Sequence, residues 1–203
     1  QQLQRSAIAL ALTPWLQAVA APSDAARAWR NNPFALGVAS GRPRPDSVVL
    51  WTRVLFDEED RAAGTDALRV NVEVFADAAL QRRVYKTDVV TDATRAHSVH
   101  VHVPRLQPST DYWYRFSQGD ARSTVGHTRT APALNADVKK LRIALASCQH
   151  YEQGEFIAHE EIAKQPLDLV LFMGDYIYES SNPQYAIRKH NGEEPKTLQG
   201  YRE

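Results

Sequence analysis

The feature that most constrains this chain is a change of hydrophobic period at the polar stretch Asn135–Lys140 (NADVKK). Before it, apolar residues alternate with polar ones. Leu68–Phe75 (LRVNVEVF) sets Val70, Val72 and Val74 on one side, and His97–Val103 (HSVHVHV) does the same with Val99, Val101 and Val103. Asp111–Phe116 (DYWYRF) sets Tyr112, Tyr114 and Phe116 together. A period of two describes a strand with one buried face and one wet face. After the stretch the apolar runs are continuous, in Leu141–Ala146 (LRIALA) and Leu167–Met173 (LDLVLFM). Such runs describe strands covered on both faces, as in a parallel sheet. Between them Phe156, Ile157, Ile162 and Ala163 fall at helical spacing, and Pro166 ends the helix. The chain is therefore expected to be α+β and two-domain: an antiparallel sandwich over residues 34–132, then a βαβ unit within 140–203.

Further details fit a sandwich. Asp46–Val54 (DSVVLWTRV) follows the turn-rich Gly41–Pro45, and Trp51 is expected in the core. Leu106–Tyr112 (LQPSTDY) resembles the turn and tyrosine corner of fibronectin type III domains.

Charge and cysteine content remove whole classes of function. Lys and Arg number 24 and Asp and Glu number 24, so no basic excess supports nucleic-acid or membrane-surface binding by general attraction. One cysteine excludes an internal disulfide and any CxxC zinc site. Ala7–Ala21 (AIALALTPWLQAVAA), after Arg5, has the length and small-residue ending of a secretory leader and is short for a membrane span. Residues 1–30 are read as an export signal and linker, leaving a mature protein with no transmembrane span. The alternative is an apolar helix packed on the body. The chain opens on Gln1 and stops at Tyr201-Arg202-Glu203 without an evident end signal, which reads as a fragment.

The chemistry is expected at the carboxyl ends of the two continuous strands, where open parallel sheets collect ligands. The first end carries Cys148 and the second Gly174-Asp175, with Tyr178 three residues on. Thiolate, carboxylate and phenolate together can hold a metal. The two oxygen donors favour a hard, highly charged cation such as ferric iron, and a carboxylate can bridge two metals. Each residue also has a plain reading: Cys148 as a small buried hydrophobe, Gly174-Asp175 as a turn, Tyr176 and Tyr178 as packing groups.

Together the segments say more. Ser147–Tyr151 (SCQHY), Asp168–Glu179 (DLVLFMGDYIYE), Arg188–Gly192 (RKHNG) and Lys196–Glu203 (KTLQGYRE) resemble the alkaline phosphatase D (PhoD-like) metallophosphatase family. Phe34–Val54 (FALGVASGRPRPDSVVLWTRV) and Leu106–Phe116 resemble its N-terminal sandwich. The resemblance implies a calcineurin-like, four-layer αββα metallophosphatase domain, of which this chain holds only the first βαβ unit. It implies a periplasmic or secreted phosphoesterase with Fe3+ and Ca2+, exported through a twin-arginine type of signal, although residues 1–6, ahead of the apolar segment, carry only Arg5. It implies hydrolysis of phosphate mono- or diesters by metal-activated hydroxide or oxide. By position Cys148 would be the thiolate ligand of the iron, Asp175 the bridge between iron and calcium, and Tyr178 the phenolate ligand. The family's later Asp, His and Asn ligands have no counterpart here, so the chain alone is expected to be inactive.

Weaker features have plainer readings. Ser147 is read as structural, and His150 as a surface or supporting residue. His100 and His102, near His97, are read as the wet face of a strand, and Asp57–Asp60 as a solvated acidic turn. Arg42, Arg44 and Arg188 could steer phosphate, but nothing in the sequence places them. The competing function is a non-catalytic extracellular sandwich module with a vestigial phosphatase segment. A cytosolic α/β enzyme of another class is disfavoured by the leader.

Overall fold

A computed structural model describes residues 28–57, 60, 67–181, 184–190 and 193–202. The leader at Ala7–Ala21 lies outside the described residues, as do Glu58 and Glu59 of the acidic turn. Asp60, expected to be solvated, is buried and donates its backbone N–H to Asp57 Oδ1 at 2.7 Å.

The first domain is a sandwich of two antiparallel sheets. One holds β1 (Val38–Arg44), β2 (Ser47–Arg53) and β5 (Ser98–Val103) in the order β1-β2-β5. The other holds β3 (Ala67–Phe75), β4 (Arg83–Asp92), β6 (Asp111–Gln118) and β7 (Ala121–Arg122) in the order β4-β3-β6-β7, and β8 (Gly126–Arg129) also pairs with β6. Register makes the core. Leu50 lies opposite Val101 in one sheet, and Val72 opposite Phe116 and Val74 opposite Tyr114 in the other. All these side chains are buried in one cluster with Val48, Val99, Val103 and Val70. The alternation expected for β3, β5 and β6 is therefore the alternation observed. The Tyr112 hydroxyl accepts from the Gln107 backbone N–H at 2.8 Å, which closes the tyrosine corner.

Three expectations about this domain need correction. Trp51 is not in the core. Val48, Leu50 and Thr52 take the inward positions of β2, and the period of two sends Trp51 outward, opposite His100. The stretch Gly41–Pro45 is not simply a turn. Its first four residues continue β1 across a register shift between Gly41 and Arg44, with Arg42 at φ +48°. Strand β4 was not expected at all. It lies at a sheet edge, where Tyr85, Thr87, Val89 and Thr91 turn toward the core and two of the four are polar. An edge strand carries too few apolar residues for a clear pattern.

On the outer face Glu73 accepts from Arg83 Nη1 at 2.7 Å and Arg115 Nη2 at 3.0 Å. Partial desolvation pushes its carboxyl up, but the two guanidiniums outweigh that and hold it below the ordinary range. A depressed carboxylate stabilises the fold above its unfolded pKa and loses that stabilisation as pH falls through the folded one. Glu73→Gln should thus cost about 1 kcal/mol at pH 7 and less at pH 3, where the carboxylate is closer to its folded pKa. Thermal melts of both proteins at the two pH values check this, and an equal cost at pH 3 would rule the ion pairs out.

After the exposed linker come β9 (Ile143–Ala146), α1 (Ile157–Lys164) and β10 (Leu169–Phe172). β9 and β10 are parallel, with Ile143 opposite Leu169 and Ala146 opposite Phe172. The βαβ unit is as expected, but its burial is not. Leu145 is 65% exposed and Met173 68%, and α1 buries no residue. Two strands and one helix leave both sheet faces open among the described residues. A short helix, α2 (Leu198–Arg202), follows. Asp168 joins the two regions, accepting from the Arg142 backbone N–H at 2.8 Å and facing Arg129 Nη1 at 3.4 Å. Among the described residues no helix is long and apolar enough to cross a membrane.

Candidate metal centre

The parallel register delivers two strand ends side by side. The ladder continues past both strands: Met173 N–H donates to Ala146 O at 2.8 Å, and Cys148 N–H to Gly174 O at 3.2 Å. There the backbone leaves the extended region. Gly174 takes φ +128°, Asp175 φ +50° and Cys148 φ +58°. Asp tolerates the left-handed region better than most residues, whereas Cys gains nothing from it. Left-handed turns at two adjacent strand ends cost energy, and such cost collects where function fixes the geometry.

These turns bring the three expected ligands together. Cys148 Sγ lies 3.5 Å from Asp175 Oδ2, and Tyr178 donates its hydroxyl to the same oxygen at 3.2 Å. All three are exposed, so the donors lie open to solvent and not in a closed crevice. The Tyr178 phenol is pushed up to about 12, first by hydrogen bonding with Cys148, then by desolvation and the Asp175 carboxylate. A thiol, a carboxyl and a phenol this close repel one another once ionised. A bound cation would reverse that balance and favour all three anions. The donor set therefore fits a hard cation. Among the described residues no three His, Cys, Asp or Glu side chains gather as a ligand set; the third donor here is a tyrosine.

The other candidates fall elsewhere. His150 does not join the donors. Its Nδ1 accepts from the Glu152 N–H at 3.2 Å, its Nε2 meets Ser180 O at 3.3 Å, and its ring packs on Tyr178. Ser147 is exposed. Arg188 is held between the Tyr151 and Phe156 rings at 4.6 and 4.4 Å, donating to Tyr151 O and Gly154 O. Its guanidinium ties a turn and does not face the donors. Arg42 and Arg44 line a separate depression of about 450 Å³ with His102, on the sandwich. His100 and His102 are exposed, on the wet face of β5.

Sequence reasoning missed Glu152. The residue is 1% exposed, its carboxylate accepting from Ser181 Oγ at 2.8 and 3.0 Å and pairing with His190 Nδ1 at 2.9 Å. In a polar turn between Tyr151 and Gln153, nothing local marks that glutamate as buried. A pocket of about 480 Å³ opens beside it, lined by His150, Tyr178, His190 and Tyr201 among others.

Known proteins resemble this chain along its length. Residues 18–132 match the family described as PhoD-like phosphatase, N-terminal domain, and residues 143–203 match PhoD-like phosphatase. The first match begins inside the segment read as leader and linker. Alkaline phosphatase D of Bacillus subtilis (strain 168) is 43% identical over 185 residues, which is 88% of this chain and 32% of that protein. A solved structure described as that of PhoD superposes with a TM-score of 0.81 at 43% identity, covering 87% of this chain and 35% of that one. The sensor domain of an anti-sigma factor in Pseudobacteroides cellulosolvens follows at 12% identity and a TM-score of 0.38, over 47% of this chain and 94% of that one, too remote to bear on function. The chain thus spans about a third of the length of the curated relative it matches. Two matched domains in chain order, the first covering more than half of the residues, establish that this chain belongs to the PhoD-like phosphatase family.

Proposed function

We propose that the protein carrying this chain is an exported, metal-dependent phosphoesterase that hydrolyses phosphate mono- or diesters. The observation that carries the reading is the convergence of Cys148 Sγ and Tyr178 OH on one carboxylate oxygen, Asp175 Oδ2. The matched family is described as a phosphatase, and the 43% identical relative as an alkaline phosphatase. The βαβ unit is read as the start of a four-layer αββα metallophosphatase core. Export to the periplasm or beyond, through a twin-arginine type of signal, is proposed from the apolar Ala7–Ala21 segment and the small residues that end it.

Ferric iron and calcium are the proposed metals, and they would supply charge neutralisation at the phosphate oxygens and a more acidic bound water. The chain's own residues prepare the place. Asp175 provides the carboxylate that two metals can share. Tyr178 and Cys148 would add a phenolate and a thiolate donor, and binding a cation in those forms would release protons. The left-handed backbone at Cys148 and Asp175 points both groups off the strand ends, so the site needs no reorganisation of β9 or β10.

Phenolate and thiolate both donate charge to ferric iron, so the complete protein should absorb visible light. Tyr178→Phe should remove most of that band and lower the rate about tenfold or more, leaving the sandwich melt in place. Cys148→Ser should lower the iron content. Wild-type colour, iron and rate in both variants would defeat the reading. The 203-residue chain alone, with three donors, should hold no stable iron and show no turnover.

A further inference from the structure

We infer that His150 is a positioning residue for the Tyr178 phenol, an inference that rests on reading Tyr178 as a metal donor. The two rings lie with centroids 4.8 Å apart and planes 31° apart, an offset stack. Tyr178 is 38% exposed, and this stack restrains its ring together with the bond to Asp175 Oδ2 and hydrogen bonding with Cys148. A phenol free to rotate would leave the strand end for solvent. The stack holds it in the rotamer that reaches Asp175.

The imidazole can do this because both its nitrogens are engaged. A backbone N–H only donates, so the Nδ1 that faces Glu152 N carries a lone pair. A carbonyl only accepts, so the Nε2 that faces Ser180 O carries the hydrogen. These partners give Nδ1 the acceptor role and Nε2 the donor role, so both nitrogens anchor the ring.

Both anchors trace back to one residue. Glu152 gives its N–H to His150, and its buried carboxylate holds Ser181, the neighbour of the Ser180 carbonyl. His190 closes the carboxylate from the other side, and Ile187 N–H donates to Glu152 O at 2.9 Å. Arg188 clamps the same turn through Tyr151 O and Gly154 O. Ser181, Ile187, Arg188 and His190 are thus strapped to the turn that carries His150, which holds the imidazole independently of the phenol.

The test uses the complete, iron-loaded protein and four variants. His150→Ala should shift and weaken the visible band and lower kcat about tenfold, with KM within about twofold of wild type. His150→Phe keeps a ring but loses both anchors, so it should recover only part of the band and of kcat. His150→Asn keeps an acceptor for the Glu152 N–H without a ring and should behave as His150→Ala; it serves as well if the alanine variant fails to fold. Tyr178→Phe reports on the underlying reading. If it loses the band while His150→Ala keeps wild-type band, iron content and kcat, the positioning role is overturned and the metal reading stands. If His150→Asn, which lacks the ring, keeps the wild-type band and kcat, the ring stack is not what holds the phenol and the inference is also overturned. If Tyr178→Phe keeps the band, the metal reading itself fails and this inference with it.

Discussion

Asp175→Asn in the complete protein should lose its iron, its colour and more than about a hundredfold of its phosphatase rate, while the sandwich melts as before. The expected size follows from position. Residues that merely support a ligand cost about 10- to 100-fold when replaced, and Asp175 is the group the other two donors meet. Cys148 Sγ at 3.5 Å and Tyr178 OH at 3.2 Å both lie against its Oδ2. Asparagine isolates the charge. It has the same shape, and it accepts the left-handed backbone that Asp175 adopts at φ +50°. Alanine there would add strain and blur the result. What changes is the loss of the carboxylate charge that the other two donors meet, the group proposed to bridge two cations. Metal analysis by atomic absorption, a visible spectrum and a phosphate-release assay decide the matter. Near-normal iron and rate in Asp175→Asn would place the site elsewhere.

Gly126→Ala should destabilise the sandwich by about 3 kcal/mol or more, seen as a fall in melting temperature of more than about 10 °C. Gly126 on β8 pairs directly with Tyr114 on β6. A Cβ built on it would stand 2.2 Å from Tyr114 Cζ and 2.6 Å from both Cε atoms. The ring cannot give way. Tyr114 is buried, packs edge-to-face on Phe116 at 6.0 Å, and hydrogen-bonds Ser40 of β1 in the opposite sheet. It spans the sandwich from one sheet to the other, and that burial pushes its phenol up to about 12. The clash is specific to one pair, so it can be relieved. Combining Gly126→Ala with Tyr114→Leu should cost less than the two single changes added together. Additive costs would show that the clash with Tyr114 is not the cause.

The two regions differ in how much of them the chain itself announced. In β3, β5 and β6 the alternation of Val, Tyr and Phe with polar residues fixed which side chains face inward. A strand has only two faces, so the pattern needs no partner to be read. The βαβ unit was legible for a similar reason: continuous apolar runs, a helical spacing between them, and Pro166 as a stop. Cys148 and Asp175 were legible as candidates because they sit where parallel strands end, and Tyr178 because it follows them within three residues.

Other properties depend on what lies across from a residue, and these the chain could not state. Trp51 faces out because Leu50 and Thr52 face in, a matter of register with β5. Gly126 is indispensable because Tyr114 lies over it, and those two are remote in sequence. Glu152 is buried because Ser181 and His190 close around it from the segment strapped across its turn. Even at the proposed metal centre the sequence supplied three candidate donors and their positions, but not their meeting on one oxygen. That meeting required the ladder to run on to Gly174 and the backbone at Cys148 and Asp175 to turn left-handed together. Local pattern determines which face of an element is apolar; which distant group occupies the space beyond that face is decided only when the elements pack.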